Sequence, residues 1–199
     1  MQLYSSVTSP YSRKARILLR EKGIACEEIT LTNLGGALVE HNPLGKIPAL
    51  VLDDGTDLFD SVVICEYLDG NWPSPRLIPE APLARAIVRR WEALADGIAD
   101  ATVAAMLETR RAEALRDPAV IERQHGKVLA ALDRAEKDLG DRAYCTGDTF
   151  TFADVALVSG VGYLNLRFPS LWKGRCPKVE SLLARLHERP SVRDTAPPT

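Results

Sequence analysis

The sequence predicts an α/β unit followed by an all-helical unit. Three observations carry this. Up to residue 76, short strand-like runs alternate with helical stretches. Residues 71–82 then hold Pro73, Pro75, Pro79 and Pro82, four of the 13 prolines, a density that breaks helices. Beyond them the strand signals nearly vanish, and apolar residues recur three or four apart. The organisation read from this is a first domain over 1–76, a linker over 77–82 and a helical domain over 83–199.

Each element has its own justification. Gln2–Ser5 is short and strand-like. After Ser9-Pro10 a helical pattern runs to Lys22, with Ala15, Ile17, Leu18 and Leu19 as its apolar members and Gly23 placed to stop it. Cys26–Leu31 reads as a second strand. Asn33–Glu40, with Gly35-Gly36, reads as irregular or one weak helix. Ile47–Leu52 is a third strand, and Asp57–Phe59 a very short fourth. Asp53-Asp54-Gly55 turns between them, because Asp and Gly tolerate positive φ. Ser61–Gly70 is a helix with Val62, Ile64, Cys65 and Leu68 on or near one face. Leu83, Ile87, Trp91, Leu94, Ile98 and Met106 form the stripe of the next helix. Asp117-Pro118 opens another, with Pro at its first position; Ile121, Val128, Leu129, Leu132, Ala135 and Leu139 line it. A further helix starts near Thr151, a last one spans about 178–188, and the Ala-Pro-Pro-Thr tail is expected to fray.

Composition narrows the function. The chain has 199 residues, 46% hydrophobic and 26% charged. That is enough to bury a core without disulfides, and it excludes a wholly disordered chain. Twenty-five basic against 27 acidic residues leave a net charge of −2, so nothing pulls the whole chain toward nucleic acid or anionic lipid. Cys26, Cys65, Cys145 and Cys176 form no CxxC, and His41, His125 and His187 are equally scattered, so no metal site is expected. No apolar run approaches the ~18 residues that span a membrane, and the N-terminus predicts no secretory leader. The expectation is a reduced, cytoplasmic protein.

Two helix starts carry chemistry. Ser9 is a good N-cap and Pro10 a good first residue, so the helix after them aims unpaired N–H groups and its positive dipole end at an adjoining cleft. An anion is favoured there. Asp60-Ser61 opens the helix that ends in Glu66-Tyr67-Leu68, and a hydroxyl with backbone N–H groups at a helix start suits a carboxylate. Between them lies Asn42-Pro43-Leu44-Gly45-Lys46-Ile47-Pro48-Ala49-Leu50. At the far end, Thr151-Phe152-Ala153-Asp154 reads as a capping box, in which each side chain can satisfy a backbone donor of the other residue, with Phe150 and Val155 flanking it as a staple. That box should fold the protein and not catalyse.

These four patterns, in this order and spacing, resemble the glutathione S-transferase superfamily over nearly the whole chain. The resemblance implies a thioredoxin-like N-terminal domain and a C-terminal helical bundle. It likens Ser9-Pro10-Tyr11-Ser12 to the Cys-Pro-Tyr-Cys site of glutaredoxins, with serine at both cysteine places, and the Pro48 loop to the superfamily's cis-proline loop. A cis X–Pro bond exposes the N–H and C=O of the preceding residue to an extended peptide. The resemblance therefore implies glutathione as cosubstrate. Ser9 would donate to its sulfur as the catalytic residue, Ile47 before Pro48 would pair with its cysteinyl part, and Lys46 would answer the glycine carboxylate. Ser61 would hold the γ-glutamyl carboxylate and Asp60 its ammonium.

The expected function is a bacterial-type glutathione transferase that promotes thiolate attack on a small hydrophobic electrophile, without metal, as a homodimer. A glutathione-dependent isomerase, or a glutathione-binding protein of the same fold without transferase activity, remains the alternative. Thiol oxidoreductases and reductive dehalogenases usually need a cysteine where Ser9 stands. The electrophile pocket is sought near Met106, Arg110, Tyr163 and Trp172, and Asp96 or Asp100 near a partner subunit's site. Bland readings suffice elsewhere. His125 is a satisfied or partly buried histidine, Trp91 is core or interface, Cys65 is a small hydrophobe, and Arg89-Arg90 and Arg110-Arg111 are solvated. Tyr4 is a strand side chain, and Ser5 is a second polar neighbour of the sulfur.

Overall fold

A computed structural model of the chain describes residues 1–31 and 36–198. The strands are β1 (Gln2–Ser5), β2 (Glu27–Thr30), β3 (Ala49–Val51) and β4 (Asp57–Leu58). The helices are α1 (Pro10–Glu21), α2 (Ala37–His41), α3 (Ser61–Asn71), α4 (Pro82–Thr109), α5 (Pro118–Leu139), α6 (Phe152–Arg167), α7 (Pro177–Leu186) and α8 (Pro190–Arg193). The strands form one sheet in the order β2-β1-β3-β4. β1 and β2 are parallel, as the α1 crossover between them requires, and the other two pairs are antiparallel. This is the thioredoxin-like unit, and the helical domain follows it.

Period-2 alternation sorts the two faces of the sheet. Leu3 and Leu50 turn to the main core with Ile17, Leu18, Ile64 and Leu68, whereas Tyr4 and Ala49 pack with Leu38 of α2. The weak helix expected before residue 41 is α2. The part of that reading on Asn33, Leu34's neighbourhood and Gly35 lies outside the described residues. The Asp53-Asp54-Gly55 turn is a hairpin closed by Leu52 N–H on the Thr56 carbonyl at 2.9 Å, with Gly55 at φ +84.

In the helical domain α4, α5, α6 and α7 share the core, and no described helix is long and apolar enough to cross a membrane. The first three turns of α6 are buried on all sides. Its Gly160 lies against α4 so closely that a Cβ there would stand 2.5 Å from the Ala95 carbonyl oxygen. The capping box forms as expected. Asp154 accepts from Thr151 N–H at 2.9 Å and also from Cys145 N–H at 2.8 Å. Burial pushes this carboxyl up, while those donors oppose the shift.

The chain end departs from expectation. An eighth helix, α8, follows α7, and Thr195 is fully buried, its hydroxyl donating to the Ser191 carbonyl at 2.8 Å. The proline-rich stretch is also pinned. Asp69 of α3 accepts Leu77 and Ile78 N–H groups at 2.9 Å each and pairs with Lys22 at 2.8 Å. Lys22 also donates to the Pro75 carbonyl at 2.7 Å. Leu77 and Ile78 are buried, and Phe152 N–H donates to the Leu77 carbonyl at 2.9 Å.

The two domains meet along α1, which is buried from Ser12 through Leu19, cations included. Lys14 donates to Asp96 at 2.7 Å and to Glu92 at 3.1 Å, both on α4. Burial alone would lower the Lys14 ammonium, but Asp96 and Glu92 outweigh it and the net shift is upward. Arg89 joins Glu92 to Glu66 of α3, so it is not the solvated residue expected; Arg90, Arg110 and Arg111 are exposed. Breaking a buried pair by removing one partner leaves an uncompensated charge. Lys14→Met is therefore expected to destabilise the fold by about 3–5 kcal/mol. Urea unfolding followed by circular dichroism checks this, and a midpoint unchanged from wild type would contradict it.

Candidate functional site

The sheet topology gathers the predicted positions at one end. Tyr4 pairs with Ala49, so Pro48 falls across from Ser5, where β1 gives way to the loop leading to Ser9. Leu58 pairs with Leu50, and the antiparallel course of β4 then carries Asp60 and Ser61 toward the same end. The N-termini of α1 and α3 and the Pro48 loop thus share one edge of the sheet.

Ser9 caps α1, its Oγ accepting from Ser12 N–H at 3.2 Å. The hydroxyl hydrogen has no acceptor among the described residues, so capping leaves it available as a donor. No acidic residue lies in the first turn of α1 to offset the positive helix end. The Ile47–Pro48 peptide bond is cis. Asp60 caps α3 by accepting from Val62 N–H at 3.0 Å while staying exposed, and Ser61 beside it is buried. Lys46 is exposed.

The loop before Pro48 is held by a residue whose role the sequence did not announce. Buried Asn42 donates through Nδ2 to the Lys46 carbonyl at 2.7 Å and accepts from Leu44 N–H at 3.1 Å through Oδ1. An Asn before Pro-Leu-Gly, poised to make an Asx turn, was the available signal. Tyr4 is a strand side chain as expected, buried with its ring 4.9 Å from that of His41. Ser5 is buried and its Oγ has no partner.

A crevice beside Ser9, too tight to admit a water molecule, is lined by Val7 and Thr8 of the β1–α1 connection, Pro10 and Arg13 of α1, Ser159 and Tyr163 of α6, and Pro197. Of the four residues proposed for an electrophile pocket, Tyr163 lines it. Trp172 is instead buried in the core, and Met106 and Arg110 lie in the last turn of α4 and at its C-cap, beyond the Asp100 that meets Tyr11 of α1. Tyr11 donates to Asp100, and both burial and that bond push its phenol up. Asp96 and Asp100 are thus engaged by Lys14 and Tyr11 of the same chain. His125 is partly buried as expected but not satisfied: Nε2 lacks a partner, burial lowers its pKa, and the ring packs edge-on against Phe168 at 4.8 Å. The four cysteines are free, and among the described residues no cluster of His, Cys, Asp and Glu could hold a metal.

Comparison with known proteins places this geometry in a family. The glutathione S-transferase N-terminal domain model matches residues 8–71, and the C-terminal domain model matches 118–192. The uncharacterized GST-like protein YibF of Escherichia coli is 39% identical over all of this chain and 99% of its own. A glutathione S-transferase from Methylobacillus flagellatus, crystallised with glutathione bound, superposes with a TM-score of 0.95 at 46% identity over 99% of each chain. Maleyl pyruvate isomerase, described as a bacterial zeta-class glutathione S-transferase, matches with a TM-score of 0.85 at 29% identity, over 99% of this chain and 97% of that one.

Proposed function

The chain belongs to the glutathione S-transferase family, and we propose that it binds glutathione and promotes attack of the bound thiolate on a small hydrophobic electrophile. The observation that carries this reading is the convergence of three peptide-binding features on one sheet edge. They are the Ser9 cap with an unused hydroxyl hydrogen, the cis Ile47–Pro48 segment and the Asp60-Ser61 helix start. In this reading Ile47 pairs through its backbone with the cysteinyl residue, Lys46 meets the glycine carboxylate, and Ser61 and Asp60 meet the γ-glutamyl carboxylate and ammonium. The sulfur lies at the N-terminus of α1.

The chemistry asks little of the protein. The thiol releases its proton to water, the thiolate is stabilised by the Ser9 hydroxyl and the helix N-terminus, and an S–C bond forms as the electrophile's leaving group departs with its bonding electrons, or as an activated double bond takes up the electron pair and then a proton from water. No covalent enzyme intermediate is required. The bound-glutathione relative at 46% identity supports the cosubstrate. The likeness to maleyl pyruvate isomerase favours a second reading, in which the same thiolate adds to a double bond and leaves again after rotation. A conjugation assay beside a maleyl-isomer assay separates them.

Three outcomes are expected. Ser61→Ala should weaken glutathione binding by about 1–3 kcal/mol, the range for an unmet buried polar partner. Calorimetric titration measures this, and equal affinities would remove Ser61 from the site. Ser9→Ala should lower the conjugation rate and raise the bound thiol's pKa while largely keeping affinity, because the two ends of the peptide are held elsewhere. Thiolate absorbance against pH reads the shift, and an unchanged titration and rate would leave Ser9 as a helix cap alone. As a cytoplasmic homodimer pairing the N-terminal domain of each subunit with the helical domain of the other, the protein should sediment at about twice 21.8 kDa at micromolar concentration. A stable monomer there would refute the assembly.

A further inference from the structure

Arg13 is a cation that the fold buries and ties to backbone carbonyls. The side chain is 2% exposed. Its Nη1 donates to the Val158 carbonyl on α6 and its Nη2 to the Val192 carbonyl on α8, each at 3.0 Å, while buried Nε has no partner. Two neutral carbonyls do not cancel a guanidinium. A seat is made for it: a Cβ on Gly162 would stand 2.3 Å from Nη1, so the position must be glycine for the guanidinium to lie where it does.

Among the described residues no carboxylate bonds it. Of the α4 carboxylates, Asp96 goes to Lys14 and Glu92 to Lys14 and Arg89, whereas Asp100 is bonded to the neutral Tyr11 phenol and keeps its negative charge. On α3, Glu66 goes to Arg85 and Arg89, and Asp69 to Lys22. Glu28 of β2 takes Arg16 and Arg20. Other titratable groups on the elements around it are Tyr163 and Arg167 on α6, Glu21 of α1 paired with Arg189 and bonded by Ser191 at the start of α8, and the exposed Arg193–Asp194 pair. Burial, with Arg16 nearby, lowers the Arg13 guanidinium to about 10, which still leaves it cationic at neutral pH. Arg13 lies one turn into α1 and lines the same crevice as Ser9.

We infer that Arg13 is a fixed positive charge, bonded only to carbonyls among the described residues, that stabilises the thiolate at the N-terminus of α1, acting alongside the Ser9 hydroxyl and the helix end. This rests on the reading that glutathione binds with its sulfur at Ser9. A neutral peptide framework around a buried cation transmits its field with little screening by salt, unlike a surface charge. The equilibrium it shifts is loss of the thiol proton to water, with the sulfur keeping the electron pair. Arg13 acts without touching the sulfur, so it is a positioning charge and not a catalytic residue.

The test compares wild type, Arg13→Met, Arg13→Lys and Gly162→Ala. The added methyl of Gly162→Ala must push the flexible end of Arg13 aside without deleting its charge, so this variant is expected to fold even if Arg13→Met does not. Thiolate absorbance is titrated against pH with glutathione bound. Affinities for glutathione sulfonate and neutral S-methylglutathione are measured at low and high salt. Arg13→Met should raise the bound thiol's pKa by about one unit and cut the preference for the sulfonate over the S-methyl compound about tenfold. Gly162→Ala should move both in the same direction, and Arg13→Lys should restore most of each. S-methylglutathione affinity should stay near wild type throughout. A wild type that binds with a depressed thiol pKa, while Gly162→Ala and any folded Arg13 variant titrate identically to it, overturns the role of Arg13 alone. A wild type that does not bind glutathione overturns that role together with the proposed function.

Discussion

The structure depends on helix α1 being enclosed. One side lies on the sheet and α3, another on α6, and α8 closes over it. A helix buried all round is ordinarily apolar, yet this one carries Arg13, Lys14 and Arg16 in its buried turns. Each must find partners inside the protein, because an unpaired buried charge costs several kcal/mol, on the order of the stability of a whole domain. The partners come from residues far away in sequence: Glu92 and Asp96 of α4 for Lys14, and the carbonyls of Val158 and Val192 for Arg13. Satisfying α1 therefore docks the helical domain onto the sheet domain. The same contacts set where the N-terminus of α1 points.

Docking by polar contacts suits a cleft. Apolar seams tolerate small slips, whereas a lysine held by two carboxylates or a guanidinium held by two carbonyls has one good position. The Lys22–Asp69 clamp works alike on the connecting segment. Asp69 holds the Leu77 and Ile78 N–H groups, and Leu77 in turn accepts from Phe152 at the head of α6. Proline supplies stiffness in this stretch, and the clamp converts it into fixed geometry. The crevice beside Ser9 draws its walls from the β1–α1 connection, α1, α6 and Pro197 beyond α8, so its shape follows from this docking.

The charge arrangement separates two tasks. Along the seam away from the crevice, cations and carboxylates alternate and cancel: Arg85 and Arg89 on Glu66, Arg89 and Lys14 on Glu92, Lys14 on Asp96. At the mouth of α1 they do not cancel. The first turn has no acid, Asp100 is turned onto Tyr11, and Arg13 is bonded only to carbonyls. The outcome is a helix end where Arg13 and Asp100 each keep their charge, bonded to neutral groups, in a chain whose net charge is −2. Net charge gives no hint of such a site, because the field at a cleft depends on which charges are cancelled nearby.

How much of this was legible in the sequence follows from the range of each interaction. The two-unit architecture, the strands and the helix caps at Ser9, Asp60 and Thr151 depend on neighbours within a few residues, and these were readable. The cis bond before Pro48 was implied by the family resemblance alone, and the sheet end on which the candidate binding residues meet followed only from the strand order. What could not be read was the fate of polar residues in apolar company. Arg13, Lys14 and Arg89 look like ordinary solvated cations, and Trp172 like a pocket residue. Asp96 and Asp100 have no local reason to turn toward α1. Their partners lie many tens of residues away, and periodicity carries no information about them. The sequence by itself determined the elements and the chemistry of their ends, because caps, turns and stripes are local. The tertiary structure alone decided which charges are buried, which are neutralised and which are left to act, because burial and pairing arise only when distant helices close on one another.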